Sequence, residues 1–456
     1  MKFVVEASGG TLLAGLADMT FRRVCTDSRQ VQPGDLFIAL KGELFDGHDF
    51  VKDVAARGAV GVVVAQTCPP GNLPACAVIA VVDTRTALGR LAAAYRKNHS
   101  LSVIAVGGSN GKTTTKELVA SVLCEKFATL WSEASFNNDI GVPMTLLRLE
   151  KTHQVAVLEA GTNHPGELAP LVKMIAPKYG IITSIGREHL EFFGDVAGVA
   201  QEEGVLAELL PADGMLFLNG DGEWADQIAA RTKARVVRIG TGEKNDWRAK
   251  KIRLDKNGVT FQVGCADQKF AGEYRVNLLG KHQATNALLA VAVGAELGLG
   301  RAEILAGLAK CQPQKMRMQF WEANGVRVLD DAYNANADSM RAALETLCGL
   351  PLQGRRVAVL GDMAELGTHG EAAHAEIGRL AAELKIGQLF TVGKNSTATA
   401  QAARAAGLTR VIEFADVEAA IKAVKNFLKP GDVVLLKASR SSRLERIAET
   451  LKMEKN

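Results

Sequence analysis

Gly107-Gly108-Ser109-Asn110-Gly111-Lys112-Thr113-Thr114 is the stretch that decides how this chain is read. An apolar run, Val103-Ile104-Ala105-Val106, precedes it, and Lys116 to Leu123 continues it as a helical pattern. Strand, glycine-rich turn and helix start is the context that a phosphate-binding loop requires. Glycine lets backbone N–H groups turn inward around an anion, and the dipole of a helix start favours negative charge there. In this reading Gly108, Ser109, Asn110, Gly111 and Thr114 surround the phosphates of a nucleoside triphosphate. Lys112 reaches the terminal phosphates and the Thr113 hydroxyl ligates Mg²⁺. The spacing is one glycine short of the common G-x-x-x-x-G-K-[ST] pattern, because Val106 stands where its first glycine would. A glycine-rich turn with an incidental lysine is the competing reading; the strand–helix context and the Lys-Thr pair both favour phosphate.

A length of 456 residues suggests about three domains. Apolar residues make up 47% of the chain, enough for several cores. The net charge of +4 and the 5% aromatic content come without any basic run interleaved with aromatics, so nucleic acid is not an expected partner. The seven cysteines include no C-x-x-C, which reads as reduced thiols rather than a disulfide framework or a metal site. No run approaches the roughly 18 apolar residues of a membrane span, so no membrane insertion and a cytoplasmic location are expected.

The expected fold class is α/β in three domains. Residues 1–99 hold strand-like runs at Asp35–Leu40 and Ala59–Val64, a helical pattern from Gly47 to Arg57, a loop at Cys68–Pro74 and a helix from Thr84 to Asn98. Residues 100–313 alternate continuous apolar strands (Val155–Leu158, Tyr179–Ile185, Gly214–Asn219) with helices, which argues for a parallel sheet covered on both faces. A polar-alternating β segment, Arg248 to Arg275, and a helix, His282 to Leu297, follow. Residues 314–456 carry four buried-type strands near Val326–Leu329, Arg356–Leu360, Gln388–Val392 and Asp432–Leu436, a Rossmann-like alternation without G-x-G-x-x-G.

Ligands of open parallel sheets bind beyond the C-terminal strand ends. Besides the loop, Glu159 and His189 fall there in the central domain. A carboxylate at such an end suits Mg²⁺ beside a triphosphate; a lone histidine is weaker, because Mg²⁺ prefers oxygen. Glu202 and Glu203 follow on a helix, where adjacent acids are ordinarily a solvated face. In the third domain Asp330-Asp331-Ala332-Tyr333-Asn334-Ala335-Asn336 follows a strand. Asp338 or Ser339 is expected to cap the next helix, leaving the earlier polar residues for ligand contact. Lys437-Ala438-Ser439-Arg440-Ser441-Ser442-Arg443 also follows a strand and suits a carboxylate or phosphate.

Five blocks together resemble the Mur ligase family. These are Gly108–Thr114, Phe136–Leu147, Leu158–Asn163, Arg187–Gly194 and Gly280–Leu288, and the resemblance spans essentially the whole chain. Asn137-Asn138-Asp139, Asp331–Asn336 and Val359–Gly367 point to the branch that adds D-alanyl-D-alanine. The resemblance implies a central ATP-binding domain between an N-terminal UDP-sugar-binding domain and a C-terminal Rossmann-like domain. ATP and Mg²⁺ are then the cofactors, UDP-N-acetylmuramoyl-tripeptide and D-alanyl-D-alanine the substrates, and a monomer is expected. It also implies roles. Lys112 binds the γ-phosphate; Thr113, Glu159 and His189 ligate metal; Asn286 contacts adenine; Arg317 reaches phosphate and Asp331 the ribose. Asp27, Ser28, Arg29 and Lys41 belong to the UDP-sugar region. Asn137, Asn138, Asn334, Asn336, Lys437, Ser439 and Arg440 lie near the peptide substrates.

Two departures stand out. Family members commonly carry a carbamylated lysine where this chain has Glu203, so Glu203 is expected to supply that carboxylate itself. Ala337 replaces the usual proline after Asn-x-Asn. Another ligase of the superfamily, adding a single amino acid to a UDP-muramoyl peptide or to folate, and a nucleotide-gated binding protein remain the alternative readings.

Overall fold

Short aliphatic runs form the strands of three sheets, and helices cover them, giving the α/β class expected. The structure, a computed structural model, describes residues 1–69, 71 and 75–453. The loop read at Cys68–Pro74 therefore lies partly outside the described residues, at Pro70 and Asn72–Pro74. The chain divides into two compact units, one of Met1–Ala105, Phe127–Thr162 and Leu168–Lys178, the other of Val106–Lys126, Asn163–Glu167 and Tyr179–Asn456.

The first unit holds a five-stranded sheet in the order Thr11–Ala14, Ala77–Val81, Gly61–Ala65, Leu36–Ile38, Val24–Cys25. The first pairing is antiparallel and the others are parallel. Successive side chains alternate between faces, as strand geometry dictates. Leu36, Ile38, Val63 and Ile79 pack against Val4, Leu88 and Leu91 of helices Lys2–Ser8 and Thr84–Lys97. Phe37, Val62, Val64 and Val78 pack against Val51 and Val54 of helix Val51–Ala56 on the other side. Asp83 starts helix Thr84–Lys97 by accepting the Thr86 N–H at 2.7 Å, an N-cap bond. The same unit contains the parallel pair Thr129–Trp131 and Val155–Glu159.

In the second unit six strands run in the order Gly272–Val276, Gly258–Gly264, Trp247–Asp255, Arg235–Gly240, Met215–Asn219, Tyr179–Ile182. The polar-alternating segment makes the antiparallel pairings and the rest is parallel. Helix Gln283–Glu296 is buried nearly all round, which matches its run of Ala, Leu and Val. Helices Lys112–Leu123, Gln283–Glu296 and Arg301–Lys310 approach closely. A Cβ on Gly294 would meet Val122 Cγ1 at 2.8 Å, and one on Gly307 would meet Val122 Cα at 2.5 Å.

A separate six-stranded sheet follows, ordered Gln319–Ala323, Val326–Asp331, Val433–Lys437, Arg356–Gly361, Gln388–Val392, Val411–Phe414. Its first pairing is antiparallel and the other four are parallel. Val328, Val357, Val359, Val434 and Leu436 face one core, and Leu329, Ala358, Leu360, Val433 and Leu435 face the other. Two of these strands, Gln319–Ala323 and Val411–Phe414, extend the four expected ones at the sheet's edges. Among the described residues no helix is long and apolar enough to cross a membrane.

Candidate active site

The loop leaves its strand at Gly107 and enters helix Lys112–Leu123 through Gly111. Gly108 (φ +108°) and Gly111 (φ +86°) both take the left-handed conformation that glycine alone adopts freely. Space requires glycine as well. A Cβ on Gly108 would meet Thr183 Oγ1 at 2.6 Å, and one on Gly111 would meet Asn286 Oδ1 at 2.8 Å. The loop after strand Tyr179–Ile182 braces it: Ser109 N–H donates to Ser184 O at 2.7 Å, Asn110 N–H to Ser184 Oγ at 3.0 Å, and Gly186 N–H to Ser109 Oγ at 2.9 Å. Asn286 is buried beneath the loop and donates to Gln283 Oε1 at 2.9 Å.

Lys112 folds back over the loop, its ammonium 2.5 Å from Gly108 O, 3.4 Å from Ser109 O and 3.3 Å from Glu188 Oε2. Glu203, at the end of helix Val196–Glu203, is fully buried and accepts the Gly108 N–H at 2.6 Å. Burial pushes the Glu203 carboxyl up to about 7; the Lys112 charge opposes that shift and the Glu188 charge adds to it. The solvated-face reading of Glu202 and Glu203 is thus corrected: both are buried, and Glu202 accepts the Gly166 N–H at 2.9 Å. They turn inward because their helix closes over the loop rather than over solvent.

His189 begins the next helix with φ +49°. Its Nδ1 hydrogen-bonds Glu365 Oε2, and its Nε2 lies 4.0 Å from Glu188 Oε2. The hydrogen bond from His189 holds the Glu365 carboxyl below the usual carboxylate range, against the opposing effect of partial burial. Lys112, Glu188, Glu203 and His189 thus gather at one strand end. Glu188 is the member that sequence reasoning passed over, although it directly precedes His189; an acid beside a histidine after a parallel strand is the available signal.

In the first unit Glu159 ends its strand fully buried, with Oε1 accepting from Asn137 Nδ2 at 2.8 Å. Asn138 Oδ1 accepts the Gly141 N–H at 2.9 Å, closing the turn that leads into helix Gly141–Leu146. Asp27 closes a local turn: Arg29 donates to it through Nε at 2.9 Å, Nη2 at 2.8 Å and its backbone N–H at 3.0 Å. Those bonds bring the Asp27 carboxyl down to about 2. Asp27, Ser28 and Arg29 follow one strand of the five-stranded sheet and Lys41 follows its parallel neighbour, the position where such sheets take ligands.

The loops beyond the C-terminal sheet interlock. Lys437, buried, donates to Asp331 Oδ2 at 2.5 Å and to Asn334 O at 3.1 Å. Ser439 Oγ donates to Ala335 O at 3.1 Å and accepts the Ala364 N–H at 2.8 Å. The Arg317 guanidinium lies 4.1 Å from the Tyr333 ring centroid, a cation–π contact. Arg440 reaches Glu445 Oε1 at 3.0 Å.

The expected cap of the following helix is a correction. Asn336, not Asp338 or Ser339, caps Ala337–Gly349, its Oδ1 accepting the Ser339 N–H at 2.8 Å. Its Nδ2 donates to Asn110 Oδ1 of the phosphate loop at 3.0 Å. Asp338 is claimed instead by Arg187, which bonds it through Nε at 2.9 Å and Nη2 at 2.7 Å and reaches Glu376 Oε2 through Nη1 at 2.6 Å.

The Arg187 and Arg341 bonds bring the Glu376 carboxyl down to about 2. A depressed carboxyl contributes stability that is complete above its unfolded value and is lost as pH falls through the folded one. Glu376→Gln is therefore expected to cost about 1 kcal/mol near neutral pH, a value discounted for solvent screening. Denaturant titrations across acid pH check this: the gap between wild type and variant narrows as pH falls below about 4.

Three family models match the chain: the Mur ligase middle domain over residues 106–294, the Mur ligase glutamate ligase domain over 316–440, and the Mur ligase family catalytic domain over 20–96. The chain is 38% identical to the UDP-N-acetylmuramoyl-tripeptide--D-alanyl-D-alanine ligase of Escherichia coli K12, across 95% of this chain and 94% of that one. The protein belongs to the Mur ligase family. The Bacillus subtilis 168 ligase of the same name is 35% identical over 99% of this Mur ligase and 98% of its own length. Among solved structures, MurF from Acinetobacter baumannii superposes with a TM-score of 0.90 at 33% identity, covering 99% of this chain and 98% of that one. The MurF ligase of Thermotoga maritima in complex with ADP gives 0.82 at 25% identity, covering 96% and 98%.

Proposed function

We propose that this Mur ligase joins D-alanyl-D-alanine to the terminal carboxylate of UDP-N-acetylmuramoyl-tripeptide, at the expense of ATP, in the cytoplasm. One observation carries the reading: Lys112, Glu188 and Glu203 converge on a phosphate loop in a chain similar along nearly its whole length to ligases of that name. Residues 1–99 are proposed to hold the UDP-sugar through Asp27, Ser28, Arg29 and Lys41. Residues 100–313 take ATP on Gly108–Thr114 with Asn286. Residues 314–456 offer Arg317 to phosphate and Asp331 to ribose, and present Asn334, Asn336, Lys437, Ser439 and Arg440 to the peptide substrates, which Asn137 and Asn138 also approach.

The chain's donors suit Mg²⁺. Glu159, Glu188 and Glu203 are buried carboxylates, and each leaves one oxygen without a hydrogen-bond partner. Such oxygens are costly in a dry site unless a cation meets them. Among the described residues no group of three or more His, Cys, Asp or Glu side chains is placed to hold a metal ion; Mg²⁺ ordinarily takes one or two carboxylates and completes its shell with waters and substrate phosphates. Thr113, Glu159, His189 and Glu203 are the proposed ligands; when bound, Mg²⁺ offsets charge on the phosphates.

A carboxylate is a poor electrophile. One of its oxygens attacks the γ-phosphorus, ADP leaves, and an acyl phosphate forms. Lys112 and Arg317 stabilise the charge on the transferring group. The free amine of D-alanyl-D-alanine then attacks the carbonyl carbon, phosphate departs with the C–O electron pair, and the nitrogen loses its proton. The bond from Asn336 to Asn110 ties the third-domain loop to the phosphate loop, which favours reaction in a closed, water-poor site.

Incubation with ATP, the UDP-linked tripeptide and a panel of amines tests the assignment. Phosphate release is expected only with D-alanyl-D-alanine. Release with a single amino acid favours another superfamily ligase, and release without any amine favours a nucleotide-gated binder.

A further inference from the structure

Two turns far apart in sequence face each other beside the phosphate loop. His189 (φ +49°) and Glu365 (φ +59°) both hold left-handed backbone conformations, which residues with a side chain adopt rarely and at a cost. Such conformations persist where surrounding contacts hold them, and here the two turns hold one another. Glu191 N–H donates to Glu365 O at 3.0 Å. His369 Nε2 meets Gly194 O at 2.9 Å. Leu190 is buried in the same apolar cluster as Met363 and Leu366. Gly367 (φ +52°) sits so close that a Cβ would lie 3.1 Å from Glu191 Cα. The result is one directed side-chain bond, His189 Nδ1 to the Glu365 carboxylate.

A carboxylate only accepts, so Nδ1 is the donor of this bond and Nε2 is the nitrogen left facing away from Glu365. That nitrogen is the one directed at Glu188 and, through it, at Lys112. We propose that Glu365 is the positioning residue of His189: it selects the Nδ1–H tautomer, fixes the ring and makes His189 competent only while the third-domain turn is seated. The proposal rests on the reading of His189 as a metal ligand. Metal-bound histidines commonly donate their second N–H to such a carboxylate, and losing that partner lowers metal affinity about 10- to 100-fold. Glu365 is 42% exposed, so the bond adds little to folding stability and its role is orientation.

The test uses the full-length protein with nitrogen-15-labelled histidine, the His189 signals being assigned by their loss in His189→Asn. Wild type is expected to show the Nδ1–H tautomer, Glu365→Ala a mixture of tautomers, and Glu365→Gln, which keeps an accepting oxygen, most of the wild-type signal. With ADP present, Mn²⁺ affinity is expected to fall about 10- to 100-fold in Glu365→Ala and far less in Glu365→Gln, with the melting temperature nearly unchanged. An unaltered tautomer in Glu365→Ala overturns the proposal. A tautomer change in a protein whose wild-type His189 signals never respond to Mn²⁺ supports the orienting bond and overturns only the metal reading of His189.

Discussion

Replacing Lys112 with methionine is expected to lower kcat about 1000-fold or more. A unit charge about 4 Å from developing negative charge is worth about 4 kcal/mol at an effective dielectric of 20, and about 1.4 kcal/mol is a factor of ten in rate. The ammonium already lies over the loop, 2.5 Å from Gly108 O, so it needs little rearrangement to meet phosphate. The same substitution strands Glu188, whose side chain is only 8% exposed and stands beside Glu203. Removing one partner of a buried pair is destabilising by itself. Lys112→Met combined with Glu188→Gln is therefore expected to regain stability without regaining turnover. Steady-state kinetics and melting temperatures of both variants separate the two effects; a double variant that recovers activity contradicts the role given to Lys112.

Glu203→Gln is expected to lower kcat about 100-fold and yet stabilise the nucleotide-free protein above neutral pH. The carboxyl is raised from 4.5 to about 7, chiefly by burial. In an acid raised in this way the folded state holds the proton more tightly, so wild-type stability falls as pH rises from the unfolded value to the folded one. Above that window the buried charge costs on the order of 3 kcal/mol, which the neutral amide avoids while keeping an acceptor for the Gly108 N–H. Denaturant unfolding at about pH 8 and about pH 5 checks the sign, with the variant's advantage present at the first and much reduced at the second. The kcat/KM profile of wild type is expected to rise through about 7, as protons leave Glu203, and the variant to lack that limb.

Local chemistry made the central features legible. The loop follows from its glycines, lysine and threonine, and the buried parallel strands follow from unbroken runs such as Val357–Leu360 and Val433–Leu436. The edge strands Gln319–Ala323 and Val411–Phe414 escaped because each has a single buried side chain and a glutamate, Glu322 or Glu413, interrupts any apolar run. The cap was misplaced for a different reason. Asp338 has the chemistry of a cap, but its carboxylate is taken by Arg187, 151 residues away, and Asn336 takes the position instead. Glu365 escaped notice likewise, since its partner His189 lies 176 residues away and no local pattern joins them. Burial of Glu203 depends on helix Val196–Glu203 closing on the phosphate loop, a tertiary event that adjacent acids on a helix do not announce.

The central claim is phosphoryl transfer from ATP to a peptide carboxylate, and the fate of one oxygen tests it. A tripeptide substrate labelled with oxygen-18 in its terminal carboxylate is turned over with ATP and D-alanyl-D-alanine, and the released phosphate is weighed by mass spectrometry. One labelled oxygen in each phosphate is the predicted result. Unlabelled phosphate alongside amide product would contradict the acyl-phosphate route.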